Sequence, residues 1–394
     1  MTHPFLERRT DDRMGRSQAK SLVEYSPHEH VHVIDLPWRL SSWAWPIPGQ
    51  TKFWSTPNGD VQAWACLQTP FWSIDYAIHP DAPATLATEV VSWVNERAQA
   101  IVSTPQGRPM WFTFAFADQT DVIQALEAAG FEPQTTAAQP WSMVLMRHDP
   151  SAVATSTPLP TGSTLRLLAG ASEMAAYVDP HRGIFNSDSM TKDWRRTVLQ
   201  HPSYDADLDL VITNPHGELV ALCVGWLSGT GPDGRLSGQI EPLGVDSRYR
   251  GRGLGRAIAT ECLRRMYTKG ALDVYVETDL HRDAALSLYE SVGYAVQRTI
   301  IVLRKDYQLT KQPASRRSTP CARLRVRFHV RANLAAPVVP RRNHNRLAGD
   351  LQPTCSSPRA EHVSMCRNTP SAPRNEKVAG LVPRVAPSKR PSPP

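Results

Sequence analysis

Apolar and polar positions along this chain follow an order that can be read twice. In the second half, residues 165–168 read as a short strand. A helical recurrence begins at 173–178 and continues brokenly through 194–199. Two strand-like runs, 208–213 and 219–226, flank Asn214-Pro215-His216-Gly217, the composition of a hairpin turn. A further strand covers 236–245, and a helix follows from about 253 to 269. On that helix Leu254, Ile258, Cys262, Leu263 and Met266 fall on one face, while Glu261, Arg264, Arg265 and Lys269 fall on the other. Gly270 fits the left-handed residue that ends such a helix. Leu272, Val274 and Val276 alternate as a buried strand, 283–291 form a short helix ended by Gly293, and 294–303 form a last strand. The predicted order is β-α-α-β-β-β-α-β-α-β.

Residues 31–147 offer a weaker copy of the same order. Ser73-Ile74-Asp75-Tyr76-Ala77-Ile78-His79-Pro80 stands in the place of Gln239-Ile240-Glu241-Pro242-Leu243-Gly244-Val245-Asp246. Ala125-Leu126-Glu127-Ala128-Ala129-Gly130-Phe131 stands in the place of Leu288-Tyr289-Glu290-Ser291-Val292-Gly293-Tyr294. The two matches are offset by 166 and 163 residues, nearly one shift, so the reading is a duplication. Residues 149–164 hold three prolines, small residues and hydroxyls without an apolar period, which marks a linker. The expected layout is a flexible N-terminus (1–25), a first domain (26–148), the linker, a second domain (165–307) and a tail (308–394). The fold class is α/β, with a mixed sheet in each half.

Charge is distributed unevenly. The tail from Gln308 carries 17 Lys and Arg against 3 Asp and Glu, and 13 of the 34 prolines, so its charge of +14 leaves −7 on the rest. The basic balance of the whole chain therefore says little about the patterned region. The tail has too few apolar residues to offset chain entropy and reads as disordered. It is an extension of no consequence, an electrostatic arm for nucleic acid or an acidic membrane, or a segment of unconstrained composition; its scattered arginines favour a bland reading. The six cysteines show no CxxC pair and no cluster with histidine, so neither a disulfide framework nor a metal site is expected. The first 20 residues are charged and polar, and no run approaches 18 apolar residues, so a soluble, cytoplasmic protein is expected.

The densest chemistry lies in Val245-Asp246-Ser247-Arg248-Tyr249-Arg250-Gly251-Arg252-Gly253-Leu254-Gly255-Arg256. This loop leaves a strand and enters a helix. Its alternating glycines let the backbone approach a ligand where a helix start presents unpaired N–H groups, and Arg250, Arg252 and Arg256 add charge for an anion. The loop reads as a pyrophosphate cradle; the bland reading is a tight turn with a solvated basic rim. A dinucleotide loop fits poorly, because the third glycine comes too soon and no acidic residue ends a second strand at the usual interval.

Residues 165–306 resemble the GNAT family of N-acetyltransferases. The family pattern Arg/Gln-x-x-Gly-x-Gly/Ala is met by Arg250-Gly251-Arg252-Gly253-Leu254-Gly255. The second signature, a helix ending in Leu-Tyr-Glu followed by Gly and an aromatic, is met by Leu288-Tyr289-Glu290-Ser291-Val292-Gly293-Tyr294. The resemblance implies acetyl-CoA as cosubstrate, held by the backbone from Arg250 to Arg256, and a bulged strand at Pro242 whose Leu243, Gly244 and Val245 face the pantetheine. It implies Tyr289 as the acid that protonates the thiolate and Glu241 as a base for the incoming amine. Core-tyrosine and structural-carboxylate readings stand beside those roles. At the short helix the family often has Asn contacting coenzyme A, whereas this chain has His281-Arg282-Asp283-Ala284-Ala285; Arg282 would substitute a charge, and His281 reads as a surface residue.

The first copy continues after Ile78 without glycine or arginine, and Leu126 stands where Tyr289 would be. A degenerate domain that shapes the acceptor cleft is expected. Its tryptophans at 38, 43, 45, 54, 64, 72, 93 and 111 read chiefly as core, with a substrate lining as the alternative. The implied activity is acetyl transfer to an amine of a small molecule or peptide in one ternary complex, by a monomer or homodimer. A longer acyl-CoA donor and a non-catalytic coenzyme A-binding regulatory module are the competing readings.

Overall fold

The computed structural model describes residues 6–7, 12–137, 140–153, 157–230 and 235–309. The expectation of a disordered tail falls, from residue 310 onward, outside the described residues, as do linker residues 154–156.

In the first half, β1 (Leu6–Glu7), α1 (Asp12–Tyr25) and α2 (Leu36–Leu40) precede β2 (Thr51–Ser55), β3 (Val61–Gln68) and β4 (Ser73–Ile78). Then come α3 (Ala84–Ile101), β5 (Met110–Phe116), α4 (Thr120–Ala128), β6 (Glu132–Pro133) and β7 (Ser142–His148). The second half repeats the sequence with β8 (Thr164–Leu167), α5 (Met174–Phe185), α6 (Lys192–Leu199), β9 (Asp209–Thr213), β10 (Leu219–Thr230) and β11 (Arg235–Val245). It closes with α7 (Leu254–Thr268), β12 (Asp273–Asp279), α8 (Asp283–Ser291) and β13 (Tyr294–Asp306). Apart from the two-residue β6, the halves share one order, the order expected from the pattern.

All strands belong to one mixed sheet, in the order β1-β2-β3-β4-β5-β13-β7-β12-β11-β10-β9-β8, with β6 beside β13. The two halves exchange their last strands. β13 pairs antiparallel with β5, from Ile300↔Phe116 to Asp306↔Met110. β7 pairs with β12, from Tyr275↔Arg147 to Asp279↔Met143. Nothing in the local pattern distinguishes this from two separate sheets, because β7 and β13 present the same alternation to either neighbour. His148, at the end of β7, fastens the exchange: its Nδ1 meets the Tyr267 hydroxyl at 2.9 Å and its Nε2 the Val292 carbonyl at 2.8 Å.

Three apolar clusters follow from this arrangement. One is shared by both halves, with Ala19, Leu22 and Val23 of α1, Trp38 of α2, Trp194 of α6 and Trp226 of β10 all buried in it. A second lies between α7 and the strands of the second half, and a third between α3 and those of the first. The flexible N-terminus expected over 1–25 is therefore corrected for 12–25, which is a helix with a buried stripe. The interspersed charges of Arg16, Lys20 and Glu24 hide that stripe in the sequence, and Arg16 itself donates to the Leu40 carbonyl at 2.9 Å. Leu272 is a second correction: it precedes β12 and is 50% exposed, whereas Val274 and Val276 are buried. The tryptophans resolve toward packing, with Trp38, Trp45, Trp54, Trp64 and Trp111 all buried. Gly270 has φ +93° and ends α7 as expected, with the Ala271 N–H returning to the Met266 carbonyl at 3.1 Å.

Candidate active site

Strands β11 and β12 run parallel and pair only at Ser237↔Asp273, Gly238↔Val274 and Gln239↔Tyr275, after which they separate. On its other edge β11 changes register with β10, from Cys223↔Leu243 to Gly225↔Ile240. That interval spends one more residue on β11 than on β10, so the strand bulges at Glu241-Pro242, where proline offers no N–H to a ladder. Trp226 fixes the bulge by donating from Nε1 to the Glu241 carbonyl at 2.7 Å. Beyond it, residues 243–245 are paired on the β10 side and face the gap on the other. Gly244 has a second reason to be glycine: a Cβ there would lie 2.3 Å from Ile184 Cγ2 and 2.9 Å from Phe185 Cζ, so α5 packs directly on this backbone.

The glycine loop opens at the wide end of the gap. Asp246 accepts from the Arg248 N–H at 2.9 Å and turns the chain, and Gly251 and Gly253 take φ +74° and +80°, a region that side chains strain to adopt. Neither glycine has an atom within 4 Å of the position a Cβ would occupy. The first helical bond of α7 runs from the Ala257 N–H to the Gly253 carbonyl at 2.9 Å, so the preceding N–H groups have no helical acceptor. Gly255 lets α8 come close, since its Cβ would sit 3.1 Å from Leu288 Cδ2. Arg250, Arg252 and Arg256 are exposed around the loop, and Arg282 is exposed at the start of α8. Arg250 donates to the Val245 carbonyl at 3.1 Å and Arg252 to that of Arg248 at 3.3 Å. An open, donor-rich backbone rimmed by cations suits a pyrophosphate.

Glu241 and Tyr289 lie near this gap from opposite elements. Tyr289 is 7% exposed, edge-on to Tyr294 at 5.6 Å. Burial, then the Glu241 charge, pushes its phenol well above the ordinary value. Glu241 is only partly open to solvent, and its carboxyl is pushed up to about 8 by burial and by the neighbouring Asp35 and Glu277, against the opposing Arg39 and His32.

Three of those neighbours come from the first half and were not singled out from the sequence. His32, in the connector between α1 and α2, places Nδ1 at 3.0 Å from Glu277 Oε2 and 3.4 Å from Asp35 Oδ2. Burial and Arg39 disfavour its protonation, but Glu277 and Asp35 outweigh them and raise its pKa to about 10. Arg39 donates to both oxygens of Asp75, at 2.9 and 2.7 Å, and to Ser73 Oγ at 2.6 Å, all buried. The offset of 166 puts Asp75 at the Glu241 position of the first copy, a signal legible in the sequence alignment of the halves but not weighed there. In the first copy that carboxylate is locked in an ion pair. The matching gap is filled as well: Ile74, Tyr76, Val90, Leu126 and Phe131 leave an apolar cavity of about 20 Å³.

A larger cavity, of about 380 Å³, lies between the connector and the second half's sheet. Val31 and Val33 line it from the connector, Gln239 and Tyr275 from β11 and β12, and Leu145 and Arg298 from the exchanged strands. None of the tryptophans lines it. It borders the carboxylate group, because Gln239 donates to Glu277 at 3.3 Å and Leu145 is the register partner of Glu277. No helix among the described residues is long and apolar enough to cross a membrane.

Comparison with known proteins agrees with this architecture. Residues 176–294 match the model of the acetyltransferase (GNAT) family. An acetyltransferase of Sodalis glossinidius is 30% identical over 118 residues, which cover 28% of this chain and 82% of that protein. The mycothiol acetyltransferase of Propionibacterium freudenreichii subsp. shermanii is 30% identical over 149 residues, 37% of this chain. That match spans 45% of the relative's length, less than half of it. A tandem GNAT protein from the clavulanic acid biosynthesis pathway superposes with a TM-score of 0.53 at 10% identity, over 78% of this chain and 99% of the other, a likeness of fold. With the bulged, splayed strand pair and the glycine loop in place, the chain belongs to the GNAT acetyltransferase family.

Proposed function

We propose that this chain transfers an acetyl group from acetyl-CoA to the amine of a small molecule or peptide, by direct attack within one ternary complex. The second half, 165–307, carries the chemistry, and the first half, which ends at His148 and includes α1, is a degenerate copy. The observation that carries this reading is the convergence on one gap of an open glycine cradle, a bulged strand bearing Glu241, and a buried tyrosine at the short helix. The backbone from Arg250 to Arg256 takes the pyrophosphate, with Arg282 adding charge at its rim. Leu243, Gly244 and Val245 present their gap-facing backbone groups to the pantetheine, and a backbone N–H at Val245 polarises the thioester carbonyl.

The acceptor reaches the site as an ammonium ion and must lose a proton before its nitrogen can attack. A carboxyl titrating near 8 is suited to that task, since it becomes ionised as pH rises through about 8 and is still basic enough to accept the proton. The nitrogen lone pair then forms the C–N bond, the C–S bond breaks, the thiolate takes a proton from an acid, and the second proton shed by the nitrogen restores that acid. Tyr289 is suited to the acid's role because burial keeps its phenol protonated throughout this range. The balance is an amide, coenzyme A as free thiol, and one proton released.

The test is thiol release from acetyl-CoA in the presence of a panel of primary amines. Tyr289→Phe should lower kcat on the order of 10²-fold while the acetyl-CoA dissociation constant holds. No thiol release with any amine, or an unchanged kcat in Tyr289→Phe, would overturn the catalytic reading.

A further inference from the structure

We propose that Ile184 and Phe185, at the C-terminal end of α5 and braced there by the first half, set the acyl chain length of the donor and hold it at acetyl. This rests on the acetyl-transfer reading and specifies its donor, a longer acyl-CoA being the alternative read from the sequence.

Alternation along β11 decides which groups meet the donor. The Asp246 N–H donates to the Val220 carbonyl of β10 at 2.9 Å, so one residue earlier the Val245 N–H turns to the gap, and that of Leu243 with it. Side chains divide between the two faces in the same way. Ile240 and Leu243, on either side of the bulge, pack into the apolar cluster of α7, so Glu241 and Gly244 share the opposite face, and α5 lies over Gly244. A thioester whose carbonyl rests on the Val245 N–H therefore lies beside Gly244 and next to Ile184 and Phe185.

The contact is tight. With Ile184 Cγ2 2.3 Å and Phe185 Cζ 2.9 Å from the place of a Gly244 Cβ, α5 leaves no room over the strand for a single methyl. On the other face, a Cβ on Gly255 would stand 3.1 Å from Leu288 Cδ2 and 3.6 Å from Val245 Cγ2, so that side is closed as well. A methyl is the smallest alkyl substituent an acyl group carries. Each methylene beyond it has to enter space that packed side chains already hold.

A wall selects only if it does not yield, and the first half holds this one. Phe185 packs against His181 with ring centroids 4.7 Å apart, and His181 against Trp38 of α2 at 5.9 Å; His181 and Trp38 are buried. Past the helix, Asn186 takes φ +48° and Arg182 Nε donates to the Met190 carbonyl at 2.8 Å, which folds the chain back on α5. Two bonds tie that turn to the first half: Trp43 Nε1 donates to the Ser189 carbonyl at 3.0 Å, and Ser189 Oγ to the Pro70 carbonyl at 3.0 Å. Ile184 and Phe185 touch the donor; Trp43 acts through Ser189 and is a positioning residue.

The experiment measures thiol release from acetyl-, propionyl- and butyryl-CoA by the full chain, with one primary amine that supports turnover, and the dissociation constant of each donor by calorimetry. In the wild type kcat/KM should fall about tenfold for each methylene added. Phe185→Ala and Ile184→Ala should each raise the butyryl-to-acetyl ratio about tenfold, and Phe185→Leu should do so to a smaller degree. The dissociation constant of coenzyme A itself should hold in all three, which also reports correct folding. Trp43→Phe keeps a ring, loses the bond to Ser189 and should raise the ratio about threefold, a change in selectivity that packing alone would not bring. The inference is overturned if the wild type uses butyryl-CoA as readily as acetyl-CoA, or if the Ile184 and Phe185 variants all keep the wild-type ratio. A wild-type ratio in Trp43→Phe would strike the bracing by the first half. No thiol release from any donor would sink the acetyl-transfer reading, and the wall would then stand or fall on whether acetyl-CoA binds more tightly than butyryl-CoA.

Discussion

Glu241 shows how burial and neighbouring negative charge change an ordinary carboxyl. Isolated, it would be ionised but weakly basic at neutral pH; among Asp35 and Glu277 and away from water it holds its proton up to about pH 8. The expected pH profile of kcat/KM thus rises through about 8, and Glu241→Gln should flatten that limb and cost on the order of 10²-fold in rate. His32 gives a separate and measurable effect on stability. Its native pKa of about 10 exceeds the ordinary 6.5, so its contribution is complete below pH 6.5 and is lost as pH rises toward 10. Urea denaturation of His32→Gln should lack that component, and an unaltered pH dependence would remove the ion pairs with Glu277 and Asp35 from the account. Glu241 and Tyr289 were legible in the sequence because each sits at a fixed step from a glycine signature. His32, Asp35 and Arg39 carry no such mark. They lie about 200 residues away in a segment whose only local message is a turn and a short helix, and distance along the chain conceals what the fold brings together.

Elements were legible where period and punctuation agreed. The α7 stripe, the Gly270 and Gly293 stops and the hairpin around Gly217 all appear as expected, since each depends on nearest neighbours along the chain. The bulge in β11 was legible from a single proline in an apolar strand. The α1 helix was missed because its buried stripe is narrow and its charges dense, and helix formation there depends on tertiary burial. The meeting of α5 with β11 was equally hidden: Gly244 looked like part of a cosubstrate wall, while its contacts also make it a packing site. Gly244→Ala would push a methyl into Ile184 and Phe185 at distances no pair of carbons tolerates, so one element must move. A destabilisation of roughly 1–3 kcal/mol is expected, measured as a lower midpoint in chemical denaturation with little change in slope. Unchanged stability would mean that α5 can slide freely on the strand.

At the scale of the molecule, the strand exchange means that the boundary seen in the sequence is not a boundary in space. Cutting within 149–164 would separate segments of chain without separating sheets, since β7 lies between β13 and β12. Residues 157–309 expressed alone would leave β12 without β7 and β13 without any of its partners β5, β6 and β7, unpaired backbone of the kind that recruits another chain. The expected outcome is a homodimer or aggregate by light scattering, relieved by adding the first half in trans; a stable, monodisperse monomer would contradict it. The same topology has a further consequence. Two identical subunits exchanging strands must each present the same side chains to both sites, so neither site can change without the other. Joining them in one polypeptide lifts that obligation: Asp75 could be tied to Arg39, the glycines lost and the pocket filled on one side, while the other kept its opening. In the fused chain the two gaps differ accordingly: side chains fill one, and the other stays open.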